Sequence, residues 1–461
     1  MTPKEAAALI VRTLRDRGHQ AWLVGGCVRD LVLGREPTDY DVATGAIPQQ
    51  VMAIFPRTFA VGAQFGVVLV PIESLTADDQ RPPADDHASD ERPATNDCVE
   101  VATFRSDVGY SDGRHPDAVV YAKSAEEDVQ RRDFTINGLL MDPLSGEVLD
   151  FVGGRADLER KLIRTIGEPD RRFAEDKLRM LRAVRFAARF GYRIDDATFA
   201  AIRRLAPQIH QVSHERIRDE ILKMLTEGAA RRAFELLDQT GLLHQVLPEV
   251  ERMKGVQQPP QFHPEGDVWV HTLLILEKLQ AGCSPALALG ALLHDVGKPP
   301  TFRVAPDRIR FDGHVEVGER MAQEIAQRLR LSHAETEHVC ALVANHLRFA
   351  DAPRMKASTL KRFFRLPQFE EHLELHRMDC LSSHGDLSLY EFVKQKLAET
   401  PPEEIRPQPL ITGRDLIALG HRPGPDFKRM LQAAEDAQLE GRFASKQDAL
   451  EFVQREFPAR H

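Results

Sequence analysis

Short apolar runs and long periodic segments divide the chain into two parts that predict different structures. Before residue 155, apolar residues occur in short runs rich in β-branched side chains, which predict strands. Beyond it, apolar residues recur with a helical period of 3.6, as in DKLRMLRAVRFAARF at 176–190. The predicted strands are AWLVGG at 21–26, DYDVAT at 39–44, GVVLVPI at 66–72 and VEVATFR at 99–105, and the predicted head helices are residues 1–19 and VRDLVLG at 28–34. The pattern therefore predicts an α+β fold, in which an elongated all-helical body follows a small mixed-sheet head.

Changes in composition along the chain predict four segments. A polar, acidic, proline-containing stretch at about 76–98 interrupts the head, and we expect a disordered insertion there. A His-rich section begins near PPQFHPEGD, and TPPEEIRPQP precedes a short helical tail. The expected segments are the head at 1–154, a helical neck at 155–258, a His-rich domain at 259–399 and the tail at 400–461.

The composition is that of a soluble globular protein in a reducing compartment. The chain has 461 residues, 42% of them hydrophobic, and no apolar run reaches the roughly 18 residues of a membrane helix. The N-terminus is charged and does not resemble a signal peptide. The five cysteines are scattered and form no CxxC pair, so we expect free thiols and a cytoplasmic location. The net charge of -9 argues weakly against a nucleic-acid partner, but residues 155–193 are dense in arginine and lysine.

Two glycines and an arginine in the head suggest a site for a phosphate. Gly25 and Gly26 follow a predicted strand and open a predicted helix. Because glycine has no Cβ, the backbone can approach a ligand closely there, and a helix N-terminus favours anions. Arg29 follows one turn later, where its guanidinium can meet a phosphate.

Carboxylates in the same region suggest a divalent cation. In a strand, Asp39 and Asp41 would point to one face, where their charges repel each other unless a cation separates them. Glu100, in another predicted strand, is a candidate third carboxylate. Such a set can hold one or two Mg²⁺ ions for phosphoryl transfer. The alternative from these residues alone is a glycine turn beside a solvated acidic edge.

The segment RRDFTIN at 131–137 adds groups that suit a nucleoside triphosphate. Arg132 can contact the triphosphate, and Asp133 can accept a hydrogen bond from a ribose 2′-hydroxyl, which would select NTP over dNTP. Asn137 can order the local turn. The alternative is a basic helix start capped by the aspartate.

Five motifs occur in an order that resembles a known family. They are LVGGCVRDLVLG with TDYDVAT, then RRDFTINGLLMD, DFVGGRADL, EDKLRMLRAVRFAARFGY and HERIRDEILKML. Together they resemble class II CCA-adding enzymes (tRNA nucleotidyltransferases) and bacterial poly(A) polymerases, and the tail segment PLITGRDLIALGHRPGPDF is also similar to that family. The resemblance implies a polymerase-β-like nucleotidyltransferase head and a helical body and tail that bind tRNA.

The resemblance also implies roles for individual residues. Asp39 and Asp41 match the family's metal ligands, Gly26, Arg29 and Arg132 its triphosphate contacts, and Asp133 its ribose contact. Asp176 and Arg179 match the protein template for the incoming base. An acceptor beside a donor can meet the Watson–Crick edges of both C and A, whereas U and G present the opposite pattern. Arg182 and Arg185 continue the three-residue spacing along one helix face and can meet phosphates; the alternative is a solvated basic face.

The segment SDVGYSDGRHPD at 106–117 stands where the family carries a flexible loop that helps to switch from C to A addition. Asp112 and Arg114 would be its charged pair. Its presence mildly favours full CCA addition over addition of CC alone.

A second set of residues resembles the metal site of the HD phosphohydrolase superfamily. Its order is H, then HD, H, H and D, and Lys298 follows the HD pair as a candidate phosphate contact. Imidazole and carboxylate ligands suit a divalent transition metal or Mg²⁺. The resemblance implies one site made by His271, His294, Asp295 and Asp379, with His314 and His346 supporting a second metal or a phosphate.

These features predict a template-independent enzyme that adds or repairs the 3′-terminal CCA of tRNA from CTP and ATP. The expected chemistry is two-metal phosphoryl transfer with Mg²⁺ in the head, and phosphohydrolase activity in the HD-type domain is an additional expectation. The alternatives are a poly(A) polymerase, an enzyme that adds only A or only CC, and a metal-dependent phosphohydrolase with an RNA-binding head. No membrane partner is expected, and the sequence does not indicate the oligomeric state.

Overall fold

The computed structural model describes residues 1–55, 57–60, 66–75, 97–108, 118–122, 124–261, 263–306 and 308–458. Residues 76–96 of the predicted insertion lie outside the described residues. Asp112 and Arg114 of the predicted loop also lie outside them. The chain forms two compact units, Met1–Val246 and Leu247–His461. In the described part of the chain, no helix is both long and apolar enough to cross a membrane.

The main sheet of the first unit is mixed, as predicted. Its strand order is β3-β4-β2-β1-β7-β8, and only β2 and β4 pair in parallel. The strands are β1 Ala21–Val24, β2 Asp41–Thr44, β3 Val67–Pro71, β4 Cys98–Thr103, β7 Leu139–Met141 and β8 Val148–Asp150. A separate antiparallel pair, β5 Arg105–Val108 and β6 Ala118–Tyr121, brackets the predicted loop, whose first residues are therefore a strand.

Helices cover the sheet and close the head. Helix α1 (Pro3–Asp16) buries Ile10, Val11 and Leu14, and Thr2 caps its N-terminus. A second apolar cluster, which includes Val24, Phe104 and Leu140, joins the sheet to α4 (Ala125–Gln130). The remaining head helices are α2 Gly26–Val32, α3 Pro48–Ile54 and α5 Gly154–Glu159.

The rest of the first unit is helical apart from one short strand pair. Strands β9 (Leu162–Ile163) and β10 (Arg193–Ile194) pair in parallel, which the prediction of an all-helical body did not include. The long helix α7 buries Leu181, Val184 and Ala187, as its period predicts. The helices are α6 Pro169–Glu175, α7 Leu178–Phe190, α8 Asp196–Leu205, α9 His214–Thr226, α10 Ala230–Gln239 and α11 Leu242–Val246.

The second unit is made of helices α12 to α24 and a two-stranded hairpin. Its hairpin strands are β11 (Arg303–Val304) and β12 (Ile309–Arg310). The helices are α12 Pro248–Glu251, α13 Val268–Lys278, α14 Pro285–Leu293, α15 Lys298–Thr301, α16 His314–Arg328, α17 His333–Asn345, α18 Ala357–Phe364, α19 Phe369–Ser382, α20 Ser388–Glu399, α21 Pro402–Ile405, α22 Gly413–Ala418, α23 Asp426–Leu439 and α24 Lys446–Glu456. The two units divide at residues 246 and 247, so the predicted four-segment division stays a proposal.

Candidate functional site

One cavity in the first unit gathers most of the residues predicted to bind a nucleotide. Its volume is about 460 Å³. Asp39, Glu100 and Arg185 are not among its lining residues. Those that line it are Gly25, Gly26, Arg29, Asp41, Arg131, Arg132, Asp133, Asn137, Asp176, Arg179, Arg182 and Phe186. We call it the head cavity.

The floor of the head cavity is the turn between β1 and α2. Gly25 has a φ of +78°, which side chains other than glycine rarely adopt. A Cβ atom on Gly25 would lie 3.5 Å from Arg132, which is an ordinary van der Waals contact, so the positive φ is the reason for a glycine here.

Asp41 begins β2 and lies beside Glu100 of β4. The two residues are register partners in the parallel pair, so their side chains stand on the same face. Desolvation, together with the charges of Glu100 and Asp39, raises the pKa of Asp41 to about 7. This is the electrostatic condition of a carboxylate pair that needs a cation. A smaller cavity of about 220 Å³ shares Asp41, Arg131 and Arg132 with the head cavity and includes Glu100.

The expectation that Asp39 and Asp41 lie on one strand is wrong. Strand β2 starts at Asp41, and Asp39 is an exposed residue in the loop before it. The in-register pair of carboxylates is instead Asp41 with Glu100. Asp39 still adds to the negative potential at Asp41, as the raised pKa of Asp41 shows.

The RRDFTIN segment places its polar side chains in one network. The amide of Asn137 donates to Asp133 at 3.1 Å, and its carbonyl accepts from the buried Arg29 at 2.7 Å. Asp133 also accepts from Arg182, Nη2 to Oδ2, at 2.7 Å. Although burial disfavours its charge, Arg182 and Asn137 lower the pKa of Asp133 to about 2. The carboxylate is therefore ionised and held in place.

The two arginines of this segment are held by a carboxylate that the sequence reasoning missed. Asp128 is almost fully buried, and it accepts from Arg131 at 2.7 Å and from Arg132 at 3.0 Å. Asp128 lies on α4, three residues before Arg131 and four before Arg132. This helical spacing is the signal that could have identified Asp128 from the sequence. The ion pairs outweigh the effect of burial and lower the pKa of Asp128.

The predicted template pair is held from a different helix. Asp176 precedes α7 rather than lying on it, and both of its oxygens accept from Arg216 of α9, at 3.2 and 2.7 Å. Arg179, on α7, donates to Glu175 at 2.8 Å and to the carbonyl of Arg131 at 3.0 Å. Arg216 was not identified from the sequence, because its partner is 40 residues away.

Arg185 does not line the head cavity, unlike Arg179 and Arg182. It is buried and donates to Glu220 at 2.6 Å and to Glu227 at 3.2 Å, both contributed by or adjoining α9. The expectation of four residues on one helix face is wrong at Asp176, which lies before the helix. Arg185 follows Arg182 by one turn, and both contact Glu220 of α9. The proposed phosphate contact of Arg185 has no geometric support.

In the second unit, the predicted histidines and aspartates converge. Two groups of ligand atoms each lie within 4.8 Å of one another: His271 with His294 and Asp379, and Asp295 with His314 and His346. Asp295 connects the groups, with Oδ2 3.1 Å from Nε2 of His294. We call these six residues the HD centre.

The chemistry of the HD centre fits metal ions. The Nε2 atoms of its four histidines are buried and have no hydrogen-bond partner among the described residues. Such a cluster of orphaned polar atoms is costly unless a ligand satisfies them. The Nδ1 atoms of His294, His314 and His346 each meet the main-chain carbonyl three residues earlier, which turns Nε2 inwards.

Charges in the HD centre favour bound cations. Although burial acts in the opposite direction, His294 and Lys298 hold the pKa of Asp295 well below its usual value. Burial lowers the pKa of His346 to about 4, so that this imidazole is neutral and able to coordinate. Lys298 donates to Asp295 and to Gln258, each at 2.6 Å, and lines a cavity of about 420 Å³ with Arg308.

The backbone permits this close packing at Gly297. A Cβ atom there would lie 2.0 Å from the carbonyl oxygen of His314. Only glycine allows the HDVGK segment to approach the start of α16 so closely, and this approach brings His314 to the HD centre.

Comparisons with known families agree with this architecture. Residues 21–164 match the poly A polymerase head domain, residues 191–254 match the probable RNA and SrmB-binding site of polymerase A, and residues 268–383 match the HD domain. The chain thus has the domain order of a poly A polymerase-type nucleotidyltransferase head, an RNA-binding segment and an HD domain.

Among named proteins, the similarity is to CCA-adding enzymes. The enzyme of Geobacillus thermodenitrificans is 42% identical over 240 residues, which cover 52% of this chain and 54% of that protein. That of Limosilactobacillus reuteri is 36% identical over 277 residues, covering 59% and 63%. The chain spans about half the length of the first of these relatives. The crystal structure of the Bacillus stearothermophilus CCA-adding enzyme in complex with CTP matches with a TM-score of 0.71 and 27% identity, over 99% of this chain and 98% of that one. The fold class and the resemblance read from the motifs are confirmed.

Proposed function

We propose that this chain adds or repairs the 3′-terminal CCA of tRNA, using CTP and ATP and no nucleic-acid template. The observation that carries the proposal is the head cavity, where Asp41, Arg132, Asp133 and the Asp176–Arg179 pair line one space. The relatives are named CCA-adding enzymes, and one was crystallised with CTP. The motif order supports the same reading.

The chain's own groups can orient the reactants. Arg29 and Arg132 bind the triphosphate, and Asp133 accepts from the ribose 2′-hydroxyl. The 3′-hydroxyl of the RNA attacks the α-phosphorus, a P–O bond forms, and pyrophosphate leaves with the electrons of the broken bond. Asp41 and Glu100, with Asp39 nearby, offer the hard oxygen ligands that Mg²⁺ prefers. When bound, Mg²⁺ would lower the pKa of the hydroxyl and offset charge on the pyrophosphate.

The template pair keeps free hydrogen-bonding capacity for a base. Arg179 has five N–H donors, and three bonds to Arg172, Glu175 and Arg131 engage some of them. Asp176 accepts three bonds, two from Arg216 and one from the amide of Leu178, which leaves room for a further acceptor contact. Asp176 and Arg179 can therefore form hydrogen bonds with either C or A, and the same two residues serve both bases.

The HD centre supports a second activity, metal-dependent hydrolysis of a phosphoester. His271, His294, Asp295 and Asp379 would hold one ion, and His314 and His346 complete the ligands of another through Asp295. Imidazole with carboxylate suits a divalent transition metal or Mg²⁺. Lys298 and Arg308 at the adjoining cavity would attract the phosphate.

The five cysteines are free thiols, which supports the cytoplasm as the site of action.

The decisive experiment uses tRNA transcripts that end before CCA, after C and after CC. Each is incubated with Mg²⁺ and CTP alone, ATP alone or both, and the products are resolved at single-nucleotide resolution. Stepwise addition of C, C and A that then stops is the expected result. A ladder of adenylates would instead assign a poly(A) polymerase, and addition of only A or only CC would assign a partial enzyme.

The hydrolytic alternative predicts a different product. An enzyme with an RNA-binding head and only the HD centre active would release phosphate and leave every transcript unextended. Asp41→Asn separates the two activities, because it should abolish extension and leave hydrolysis unchanged. Extension by the Asp41→Asn protein would overturn the proposed role of the head cavity.

A further inference from the structure

His271 is held differently from the other histidines of the HD centre. His294, His314 and His346 each use Nδ1 to contact a main-chain carbonyl in their own helical segment. His271 has no such contact, and the carbonyl three residues before it, that of Val268, accepts from the hydroxyl of Thr272 instead. The ring of His271 therefore needs another group to fix its orientation.

Glu265 provides that group. Its Oε1 atom lies 2.7 Å from Nδ1 of His271, on the opposite side of the ring from Asp379, whose Oδ1 is 3.1 Å from Nε2. The His271 side chain is fully buried, and only 6% of the Glu265 side chain is exposed. The 2.7 Å contact is an ion-pair distance without the alignment of a hydrogen bond, since Nδ1 of His271 has no hydrogen-bond partner among the described residues. A carboxylate at this distance favours the proton on Nδ1, so that Nε2 is the nitrogen available to the HD centre.

We propose that Glu265 is a positioning residue of the HD centre, which fixes the tautomer and ring orientation of His271 without touching a metal itself. The inference rests on the metal centre proposed above. It adds a residue outside the H, HD, H, H, D pattern, from the loop that precedes α13. Glu265 would also make the imidazole of His271 a stronger ligand, because a carboxylate partner raises ligand basicity.

The same oxygen also contacts a second histidine. Nδ1 of His263 lies 2.9 Å from Oε1 of Glu265, and the rings of His263 and His271 meet edge to face at 4.9 Å. His263, Glu265 and His271 thus offer a third set of possible ligands. Oε2 of Glu265 is buried and has no partner among the described residues.

The distances favour direct contacts over a third ion. Oε1 of Glu265 lies 2.9 Å from Nδ1 of His263 and 2.7 Å from Nδ1 of His271, so the side chains touch directly. An ion at this position would also need both ring nitrogens of His271 as ligands at once, since Nε2 already faces Asp379. The positioning role requires no such bridge, and the two readings differ in the number of ions bound.

The test measures metal binding by the full-length protein, without substrate. Wild type, Glu265→Gln, His263→Gln and Glu249→Gln are stripped with a chelator and titrated with Mn²⁺, and the ions bound per chain are counted by elemental analysis. Glu249 is the matched control, because it is a mostly buried glutamate in the same unit that forms an ion pair with Arg328. The visible spectrum of the Co²⁺-loaded proteins reports ligand geometry. Thermal melts of the stripped proteins check folding.

We expect Glu265→Gln to weaken Mn²⁺ binding about 10- to 100-fold at unchanged stoichiometry, and to alter the Co²⁺ spectrum. His263→Gln and Glu249→Gln should stay within about threefold of wild type in Mn²⁺ affinity. Unchanged affinity and spectrum in Glu265→Gln would overturn the inference. Loss of one ion per chain in both Glu265→Gln and His263→Gln, at unchanged affinity of the others, would overturn it in favour of a third metal site. If the wild-type protein binds no metal, the proposed metal site at the HD centre is wrong, and the positioning role of Glu265 is wrong with it.

Discussion

The head cavity and the HD centre hold their polar side chains in different ways. In the head, side chains are held by other side chains: Arg182 holds Asp133, and Arg216 holds Asp176. In the HD centre, three of the four histidines are held by their own backbone, and their Nε2 atoms remain without partners. The first arrangement suits a ligand that must be exchanged at each step, and the second suits ions that stay bound.

The two sites also differ in how their charged side chains are arranged. The head cavity mixes arginines with carboxylates, and Asp41, whose pKa is raised, lies within the influence of Arg132. The HD centre packs four histidines around two aspartates, Asp295 and Asp379, whose pKa values the nearby histidines hold below the usual range in spite of burial. A triphosphate with its cation matches the mixed charges of the head cavity, and metal ions match the histidines and aspartates of the HD centre. Each of the following predictions tests this contrast.

The largest effect is expected from Asp41→Asn compared with His294→Ala. Asp41→Asn should lower nucleotide addition by at least about 10³-fold, because the cation loses its central ligand. tRNA binding should be unchanged. His294→Ala should leave addition within about threefold of wild type and abolish metal binding at the HD centre. Single-nucleotide extension assays and Mn²⁺ titration measure the two activities, and a loss of addition in both variants would show that the sites are not independent.

Metal removal should separate the two units in a thermal melt. Ions that bind only the folded state add about 2.7 kcal/mol of stability at a hundredfold excess over Kd. Mn²⁺ should therefore raise the melting temperature of the Leu247–His461 unit by about 5–10 °C, and EDTA should reverse it. In His294→Ala the shift should disappear. A Mn²⁺ effect of equal size in that variant would argue against the HD centre as the binding site.

Arg216→Met should weaken base selection rather than abolish addition. Without Arg216, Asp176 loses its bidentate partner and can move by rotation of its side chain. We expect discrimination of CTP and ATP against UTP to fall about tenfold, from kcat/KM ratios. Arg204→Met is the control, since Arg204 forms an exposed ion pair with Asp170 that should contribute little. Equal loss of discrimination in both variants would show that the contact between Arg216 and Asp176 does not contribute to base selection.

The smallest effect concerns the pH dependence of the metal-free protein. The pKa of Asp41 is about 7 when folded and near 3.8 when unfolded, so folding favours its protonated form. Its ionisation therefore lowers stability as the pH rises from about 4 to 7, and the loss is complete above that range. In EDTA, Asp41→Asn should raise the melting temperature by a few degrees at pH 8 and little at pH 4. Asp16→Asn, at an exposed position on α1 with the same charge change, is the control. A similar gain at both pH values would contradict the raised pKa of Asp41.

Local patterns predicted much of the head and of the HD centre. The β-branched runs predicted β1 to β4, because alternation within a strand depends only on neighbouring residues. The order of six histidines and aspartates resembles the HD phosphohydrolase superfamily, and the structure brings these six residues together. The boundary of β2 was misjudged at Asp39, because propensity does not resolve element ends to one or two residues.

The amino-acid sequence by itself determined the chemistry that is available: the glycine turn, the arginines, the carboxylates and the candidate ligands of the HD centre. Only the tertiary structure decided which of them meet. It joined Glu100 to Asp41 across β2 and β4, turned Arg185 towards Glu220, and placed Arg216 against Asp176. The physical reason is that periodicity describes one helix face or strand face, whereas an ion pair 35 or more residues apart depends on how those faces pack.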